Sequence, residues 1–545
     1  MRTLNNRQYL LLSSLSGILL SIAWPPLPLG LVLLFAFVPL LVVNESLIQS
    51  GARKSGSRFF LYSYLTLIIW NVLTTWWIWN ATSVGSLFAM AANALLMSIP
   101  MIGFHHTRKR LGILVGYLSL PIYWLAFEYI HLNWDLSWPW LTLGNAFAST
   151  PSLVQWYEFS GALGGSLWIL MSNVLVLVLL LGLHKVYKKQ LVVATVAWIV
   201  LPIALSVFMY VSYEDVGKPA EVVVVQPNID PYEEKFSGSP RFIPYKEQLA
   251  RMLALTDSLT TDKTHFVLWP ETALPSGYDE EEILSYATID KLMDKVAAFP
   301  NLSLITGMDS HVRYSEAATP TVRYVEGFGY YDSYNTAMHI NGRGDNPEFY
   351  HKSKLVPGVE TIPAFLGRFA IDLGGTMGSL GVQEERSVFF GATGKGAAPV
   401  ICYESIFGDF VGDYVRNGAG FIAIITNDAW WGNTPGHKQH MQYASLRAIE
   451  TRKGIARSAN TGISGFINQR GDIVSASEYD VMAVMKGEVL VNDVVTFYTL
   501  YGDFIGQWAV YLSAMLVIYY YIKKFMGRKG KKVSSADFAS PKVKI

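Results

Sequence analysis

The chain has 545 residues, 51% of them hydrophobic and only 16% charged, against about 25% charged in ordinary soluble chains. Its 43 Lys and Arg balance 42 Asp and Glu, which leaves no basic surplus for a nucleic-acid partner. A single cysteine excludes an intrachain disulfide and any multi-cysteine zinc or iron–sulfur site.

In chain order, residues 8 to about 213 are long apolar runs broken by short basic loops. Seven spans are expected there: Gln8–Trp24, Leu29–Val43, Phe59–Trp79, Ser83–Gly103, Leu111–Phe127, Leu163–Leu183 and Leu191–Tyr210. An eighth is Phe504–Ile522. Most approach the ~20 residues that cross a bilayer as helix; Leu29–Val43 is short, and Pro39 interrupts it. The exit sequence Trp24-Pro25-Pro26 lacks a small-residue cleavage pattern, so the first span reads as a retained anchor.

Charge supplies a separate test. With eight spans, the basic clusters at Arg2 and Arg7, Arg53–Arg58, Arg108–Arg110, Lys185–Lys189 and Lys523–Lys532 all fall on one side. The positive-inside rule makes that side the cytoplasm and places residues 211–503 across the membrane from it. The expected organisation is a membrane domain at 1–213, an extracytoplasmic domain at 214–503, a last span at 504–522 and a basic cytoplasmic tail at 523–545. Beyond Lys532 that tail is polar and expected to be disordered.

Residues 214–503 read as a water-soluble α/β domain. Strands are expected at Glu221–Val225, His265–Leu268, Ser303–Thr306, Pro399–Cys402 and Phe421–Thr426. Helices are expected at Tyr245–Ser258, Glu281–Ala298 and His437–Gly454. Layered α/β structure collects chemistry at strand ends. The glycine-rich apolar stretch Glu360–Val382 fits either a mobile arm over a site, centred on Phe365–Leu380, or an irregular buried loop.

Cys402 ends an apolar run and precedes Tyr403 and Glu404. A thiol at a strand end is a candidate nucleophile when a base and a cation lie nearby; the same segment equally describes a buried structural cysteine. Candidate partners are Glu271, in Trp269-Pro270-Glu271-Thr272, and Lys352, in Tyr350-His351-Lys352-Ser353-Lys354, with Glu360 following. His437 and His440 have metal-ligand spacing, but no third ligand accompanies them and polar helix contacts explain them. Ser405 lies outside a G-x-S-x-G elbow. Trp76, Trp77 and Trp79 fit an interfacial aromatic belt. Glu128, near the outer end of a span, calls for water or a polar neighbour.

The order Glu271, Lys352, Cys402 resembles the catalytic triad of the nitrilase superfamily. The chain is most similar to its membrane-bound branch, the apolipoprotein N-acyltransferases. Further matches are Val224–Asp230, Ile401–Ser405, Thr426–Gly432, His440–Arg452, Ser458–Gly462 and, in the membrane half, Ser137–Gly144. The resemblance implies a multi-span α-helical membrane domain plus an α/β nitrilase-like domain, an α-β-β-α sandwich. It also implies Glu271 as general base, Lys352 as catalytic lysine and Cys402 as nucleophile. Glu360, Tyr403, Glu404 and Phe236 would support the site or bind substrate.

The implied reaction moves an acyl chain from a phospholipid, by family precedent phosphatidylethanolamine, through a thioester on Cys402. The acceptor is the α-amine of a diacylglyceryl-cysteine at the N-terminus of a bacterial apolipoprotein. No cofactor, metal or nucleic acid is expected, and the location implied is the bacterial inner membrane with both termini cytoplasmic. This chain departs from the family pattern at Gly358-Val359 in the turn after the lysine. Phe236 stands where some members have tryptophan, and Trp431 where phenylalanine is usual. Two rival readings are a membrane-tethered amidase that uses water as acceptor, and a non-enzymatic transporter or scaffold. The product separates the first; the scarcity of charge in the spans weighs against the second.

Overall fold

The computed structural model describes residues 4–51, 53–182, 187–362 and 380–536, without the side chains of 527–536. Arg2, Lys185, the end of the tail and the arm expected at Phe365–Leu380, apart from Leu380 itself, lie outside these residues. Among the described residues, seven helical segments are long and apolar enough to cross a membrane, where the sequence reading has eight. The difference is the helix Asn6–Ile22, whose 17 residues rise about 26 Å, a little less than a ~30 Å hydrocarbon core. It packs on the helices Ser55–Thr75 and Val38–Gln49. Gly17 permits that contact, because a Cβ there would meet the Thr66 carbonyl at 2.6 Å. The last helix, Phe504–Ala536, runs into the tail read as disordered.

The span containing Pro39 shows how such helices are repaired. Pro39 opens the helix Val38–Gln49, so the preceding turn, Leu33–Ala36, ends early. The Asn173 amide donates to Leu33 O at 2.7 Å and accepts from Phe37 N at 2.8 Å. Ser16 Oγ likewise donates to Ala36 O at 2.6 Å and accepts from Leu40 N at 3.1 Å. Both side chains bridge groups that an unbroken helix would pair with each other. Around this interior the surface is apolar: Leu61, Ile99, Leu114, Val193, Phe208, Val211 and Trp508 are exposed. Ser16, Asn71, Asn93, His105 and Asn173 are buried. Polar inside and apolar outside is the arrangement that lipid selects.

The other half inverts that arrangement. Its strands are β1 (Lys218–Gln226), β2 (Thr264–Leu268), β3 (Leu274–Asp279), β4 (Ser303–Tyr314), β5 (Arg323–Val325), β6 (Gly329–Asn341) and β7 (Glu348–His351). They continue with β8 (Phe389–Phe390), β9 (Gly396–Ile401), β10 (Phe421–Thr426), β11 (Ile455–Ala459), β12 (Gly465–Ile467), β13 (Ile473–Ala476) and β14 (Ala483–Val491). One sheet is ordered β14-β1-β2-β4-β6-β5, with β3 on β4 and β7 on β6; the other runs β13-β12-β11-β10-β9-β8. Both are parallel at their centres.

Along β1, Val222 and Val224 enter the core between the sheets, while Val223 and Val225 meet the helices Tyr245–Leu259 and Ala287–Ala297. This two-residue alternation, apolar on both faces, marks a strand covered on both sides. The second sheet is covered by the helices Gly408–Arg416 and Pro435–Thr451, which completes an α-β-β-α sandwich.

The helix Pro435–Thr451 joins the halves. Met441, Ala444 and Ala448 pack into the sandwich, and Tyr443, Leu446 and Ile449 pack into the core of the membrane half. Trp24 Nε1 donates to Tyr443 Oη at 3.0 Å, Trp140 Nε1 to Gln439 Oε1 at 2.6 Å, and Gln439 Nε2 to Pro25 O at 2.7 Å.

Candidate active site

Glu271 follows β2 in a tight turn whose next residue, Thr272, has φ +49°. The turn lies directly on Gly307 of β4, where a Cβ would stand 2.6 Å from Glu271 Cα. The carboxylate is thereby delivered to the strand ends. Its Oε1 accepts from Asn335 Nδ2 at 2.8 Å and lies 3.0 Å from Lys352 Nζ; its Oε2 accepts from Asn427 N at 3.0 Å. Burial opposes the charge, but Lys352, Asn335 and Lys235 outweigh it and hold the carboxyl below its ordinary range.

Lys352 follows β7, with its N–H on Asn335 O at 2.8 Å. Its ammonium is buried between Glu271 and Glu360, 2.7 Å from Glu360 Oε1. Burial disfavours that ammonium, yet Glu271, Glu360 and Cys402 hold it charged well above the usual lysine range. Val356 N donates to Glu360 Oε2 at 2.8 Å, so the Gly358-Val359 turn still returns the second carboxylate to the lysine.

Cys402 begins the turn after β9 with φ +49°, a left-handed conformation that costs a non-glycine residue roughly 1–3 kcal/mol. The turn is clamped by Glu404. Its Oε2 accepts from Ile401 N at 2.9 Å, and its Oε1 from Ser353 N and Tyr350 Oη, each at 2.7 Å. Glu404 therefore ties the cysteine turn to the lysine turn, although burial pushes its carboxyl upward. Tyr403 Oη donates to Ser137 O at 2.7 Å and anchors the same turn to the membrane half. Burial and the Glu271 carboxylate push the Cys402 thiol up, while Lys352 pulls it down. The resting thiol is therefore protonated, within the field of the Glu271 carboxylate.

Behind the cysteine lies a second buried cluster that sequence reading did not assemble. The Cys402 carbonyl accepts from Ser405 Oγ at 2.7 Å and faces His440 Nε2 at 3.2 Å. His440 Nδ1 meets Asp428 Oδ1 at 2.9 Å, and Arg457 reaches Asp428 Oδ2 at 2.8 Å. Against burial, Arg457 and His440 hold the Asp428 carboxyl well below the usual carboxylate range. His440 is thus a core polar residue whose ring nitrogens are engaged, and His437 bonds Asn433 at 3.2 Å and stacks on Tyr479. The available signal was Arg457, a cation in the otherwise uncharged buried strand Ile455–Ala459, which requires an internal partner. Asn335 gave no comparable signal.

A family model described as the apolipoprotein N-acyltransferase N-terminal domain matches residues 16–175, and one described as carbon-nitrogen hydrolase matches residues 223–497. An apolipoprotein N-acyltransferase of Chlorobaculum tepidum is 30% identical over 527 residues, 94% of this chain and 96% of that one. The chain belongs to the apolipoprotein N-acyltransferase family. One from Geobacter metallireducens is 27% identical over 529 residues, 94% of this chain and 95% of that one. Among solved structures, Saccharomyces cerevisiae Nit3, of branch 10 of the nitrilase superfamily, is similar at 14% identity with a TM-score of 0.34. It covers 53% of this chain and 95% of its own.

Membership of this N-acyltransferase family makes the chain a membrane-bound acyltransferase of lipoprotein maturation. Against that background the departures can be placed. Phe236 is half-buried beside Lys235, whose Nζ lies 5.6 Å from the ring centroid. Lys235 donates to Glu271 O and Thr272 Oγ1 beneath the candidate base. Trp431 packs on Trp77 at 4.9 Å and Trp140 at 5.4 Å. Trp77 is therefore buried at the junction of the halves and not in an interfacial belt; Trp76 and Trp79 remain exposed. Glu128 is buried too, accepting from Trp124 Nε1 at 3.0 Å and Leu143 N at 2.8 Å.

Proposed function

We propose that this acyltransferase works through a thioester on Cys402, with Glu271 as general base and Lys352 as the fixed cation. The acyl donor is a phospholipid, phosphatidylethanolamine being expected, and the acceptor is the α-amine of a diacylglyceryl-cysteine on an apolipoprotein. The catalytic half lies outside the cytoplasm, on the bacterial inner membrane, with both termini inside. One observation carries the reading. The Lys352 ammonium is buried between two carboxylates, at 3.0 and 2.7 Å, and its charge reaches the Cys402 thiol.

In the first half-reaction the thiol proton passes to Glu271 as sulfur attacks the sn-1 ester carbonyl. Lys352 and backbone N–H groups near Tyr403 receive the oxyanion. Collapse expels the lysophospholipid oxygen, which takes the proton from Glu271, and the acyl group stays on sulfur. In the second, the α-amine attacks the thioester and Glu271 takes its proton. The sulfur leaves, is reprotonated, and an amide remains. Glu360 holds Lys352 in place, and Glu404 holds the two turns together. Restricted water favours aminolysis over hydrolysis.

The test is to incubate the protein with acyl-labelled phospholipid. A hydroxylamine-sensitive adduct that disappears in Cys402→Ala is expected, followed by transfer of label to a diacylglyceryl lipopeptide. No adduct on folded protein rejects the thioester. Released free acid in place of acylated lipopeptide favours the amidase reading.

A further inference from the structure

A phospholipid donor brings a phosphodiester close to the reacting ester, and that anion calls for a cation. Lys352 is already shared by Glu271 and Glu360. The nearby cations divide by how fully they are engaged. Lys235 is buried and bonded to Glu271 O and Thr272 Oγ1. Arg386 is spent on Tyr350 Oη, Gln383 O and Glu384 O. Lys354 is different. Its Nζ has one long bond, 3.4 Å to Leu132 O, and no carboxylate within ion-pair distance among the described residues.

The position of Lys354 is also defined. Its backbone N–H faces Glu404 Oε1 at 3.4 Å, on the clamp that joins the lysine and cysteine turns. Its ammonium lies 4.9 Å from the Phe407 ring centroid and 5.9 Å from that of Phe410. Phe407 in turn contacts Tyr403 at 5.2 Å, the residue after the cysteine. Leu132 is the last residue of the helix Ile113–Leu132, so the ammonium sits where a membrane helix ends against the cysteine turn. Of the acids whose fields it feels, Glu404 is bonded to backbone N–H groups, Asp409 to Arg416 and Asp503 to Tyr498. Lys354 is half-buried.

We propose that Lys354 binds the phosphodiester of the donor lipid and so selects phospholipid over neutral acyl donors. The inference rests on the phospholipid-donor reading above. The acceptor's diacylglyceryl group carries no phosphate, so the subsite acts in the first half-reaction only. The competing assignment is a lysine that merely caps the helix ending at Leu132.

The experiment compares single-turnover acylation of Cys402 by labelled phosphatidylethanolamine and by diacylglycerol of the same chains, in full-length protein in detergent. In Lys354→Gln, kcat/KM for the phospholipid is expected to fall about tenfold or more, the scale of one charge-assisted hydrogen bond. Acylation by diacylglycerol should stay within about twofold of wild type, which also certifies the fold, and Lys354→Arg should restore the preference. Equal losses on both donors would assign Lys354 to the helix end, and an unchanged phospholipid rate would remove it from donor binding. Wild-type protein acylated by diacylglycerol alone would overturn the phospholipid reading itself, and the subsite with it.

Discussion

In front of Cys402 one ammonium, Lys352, lies between the carboxylates of Glu271 and Glu360; behind it one carboxylate, Asp428, is shared by His440 and Arg457. The front cluster has two carboxylates around one ammonium, and the charges of Glu271 and Lys352 reach the thiol. The rear cluster is fully buried, with one guanidinium matched to one carboxylate, and through His440 it faces the peptide carbonyl. The front keeps Glu271 ionised against burial, as a base must be, while balance and closure make the rear fit to hold a left-handed backbone in place. In the proposed reaction, two clusters of similar composition therefore divide into one that reacts and one that braces.

The sharpest way to break this division is to substitute each cluster and compare activity with stability. Glu271→Gln leaves Lys352 its second carboxylate and removes the base. Acyl transfer should fall about 10²–10⁴-fold, read from thioester formation, with little change in melting temperature. A rate within threefold of wild type would sink the base assignment. Arg457→Met leaves Asp428 without its guanidinium in a buried site, and should cost about 3–5 kcal/mol of stability, read as a lowered unfolding midpoint. The molecules that remain folded should retain most of their acylation rate. A rear-cluster variant of undiminished stability that nonetheless loses acylation would put that cluster in the chemistry.

The pH profile tests the front cluster more gently. Glu271 is held below the ordinary carboxylate range and the thiol above its ordinary value. Between those limits the carboxylate stays charged and the thiol protonated, so acylation should be flat from about pH 6 to 8. Transfer to a lipopeptide needs a neutral α-amine of pKa about 8. From pre-acylated protein it should rise nearly tenfold per pH unit below that value. An acylation rate that itself climbed in this way would mean a pre-formed thiolate attacks, with no base required.

The two clusters were unequally legible in sequence, and chain geometry explains why. Glu271 and Cys402 each stand just after an apolar strand and Lys352 beside a turn, all in recognisable local motifs, so their order was readable before any fold was known. Glu360 followed from its distance to Lys352. Asp428 and His440 lay inside matched motifs, and polar contacts were the favoured reading of His440, but its partners could not be named. Its true contacts come from the β10 end and from the cysteine turn, which only the sheet brings together. Asn335 was invisible because a polar residue in a strand has no sign of which face it serves until β6 is paired with β4. In the membrane half, the apolar runs located the helices. Burial of Trp77 depended on contact with Trp431, far along the chain, and local hydropathy carries no such information.

That tryptophan contact supplies the smallest predicted effect and the most direct probe of whether the rear cluster is isolated. Trp431 packs on Trp77 and Trp140 of the membrane half and lies 5.6 Å from the His440 ring. Trp431→Phe installs the residue usual in the family and keeps an aromatic face at reduced area. Aromatic pairs contribute about 0.5–1.5 kcal/mol each, and partial retention leaves an expected loss near 1 kcal/mol. The unfolding midpoint should drop by a few degrees or less, with acyl transfer within about twofold of wild type. A loss of transfer much larger than the loss of stability would show that the membrane half acts on the cysteine through Trp431 and His440. The rear cluster would then be a coupling element between the halves, and its separation from the reacting side would fail.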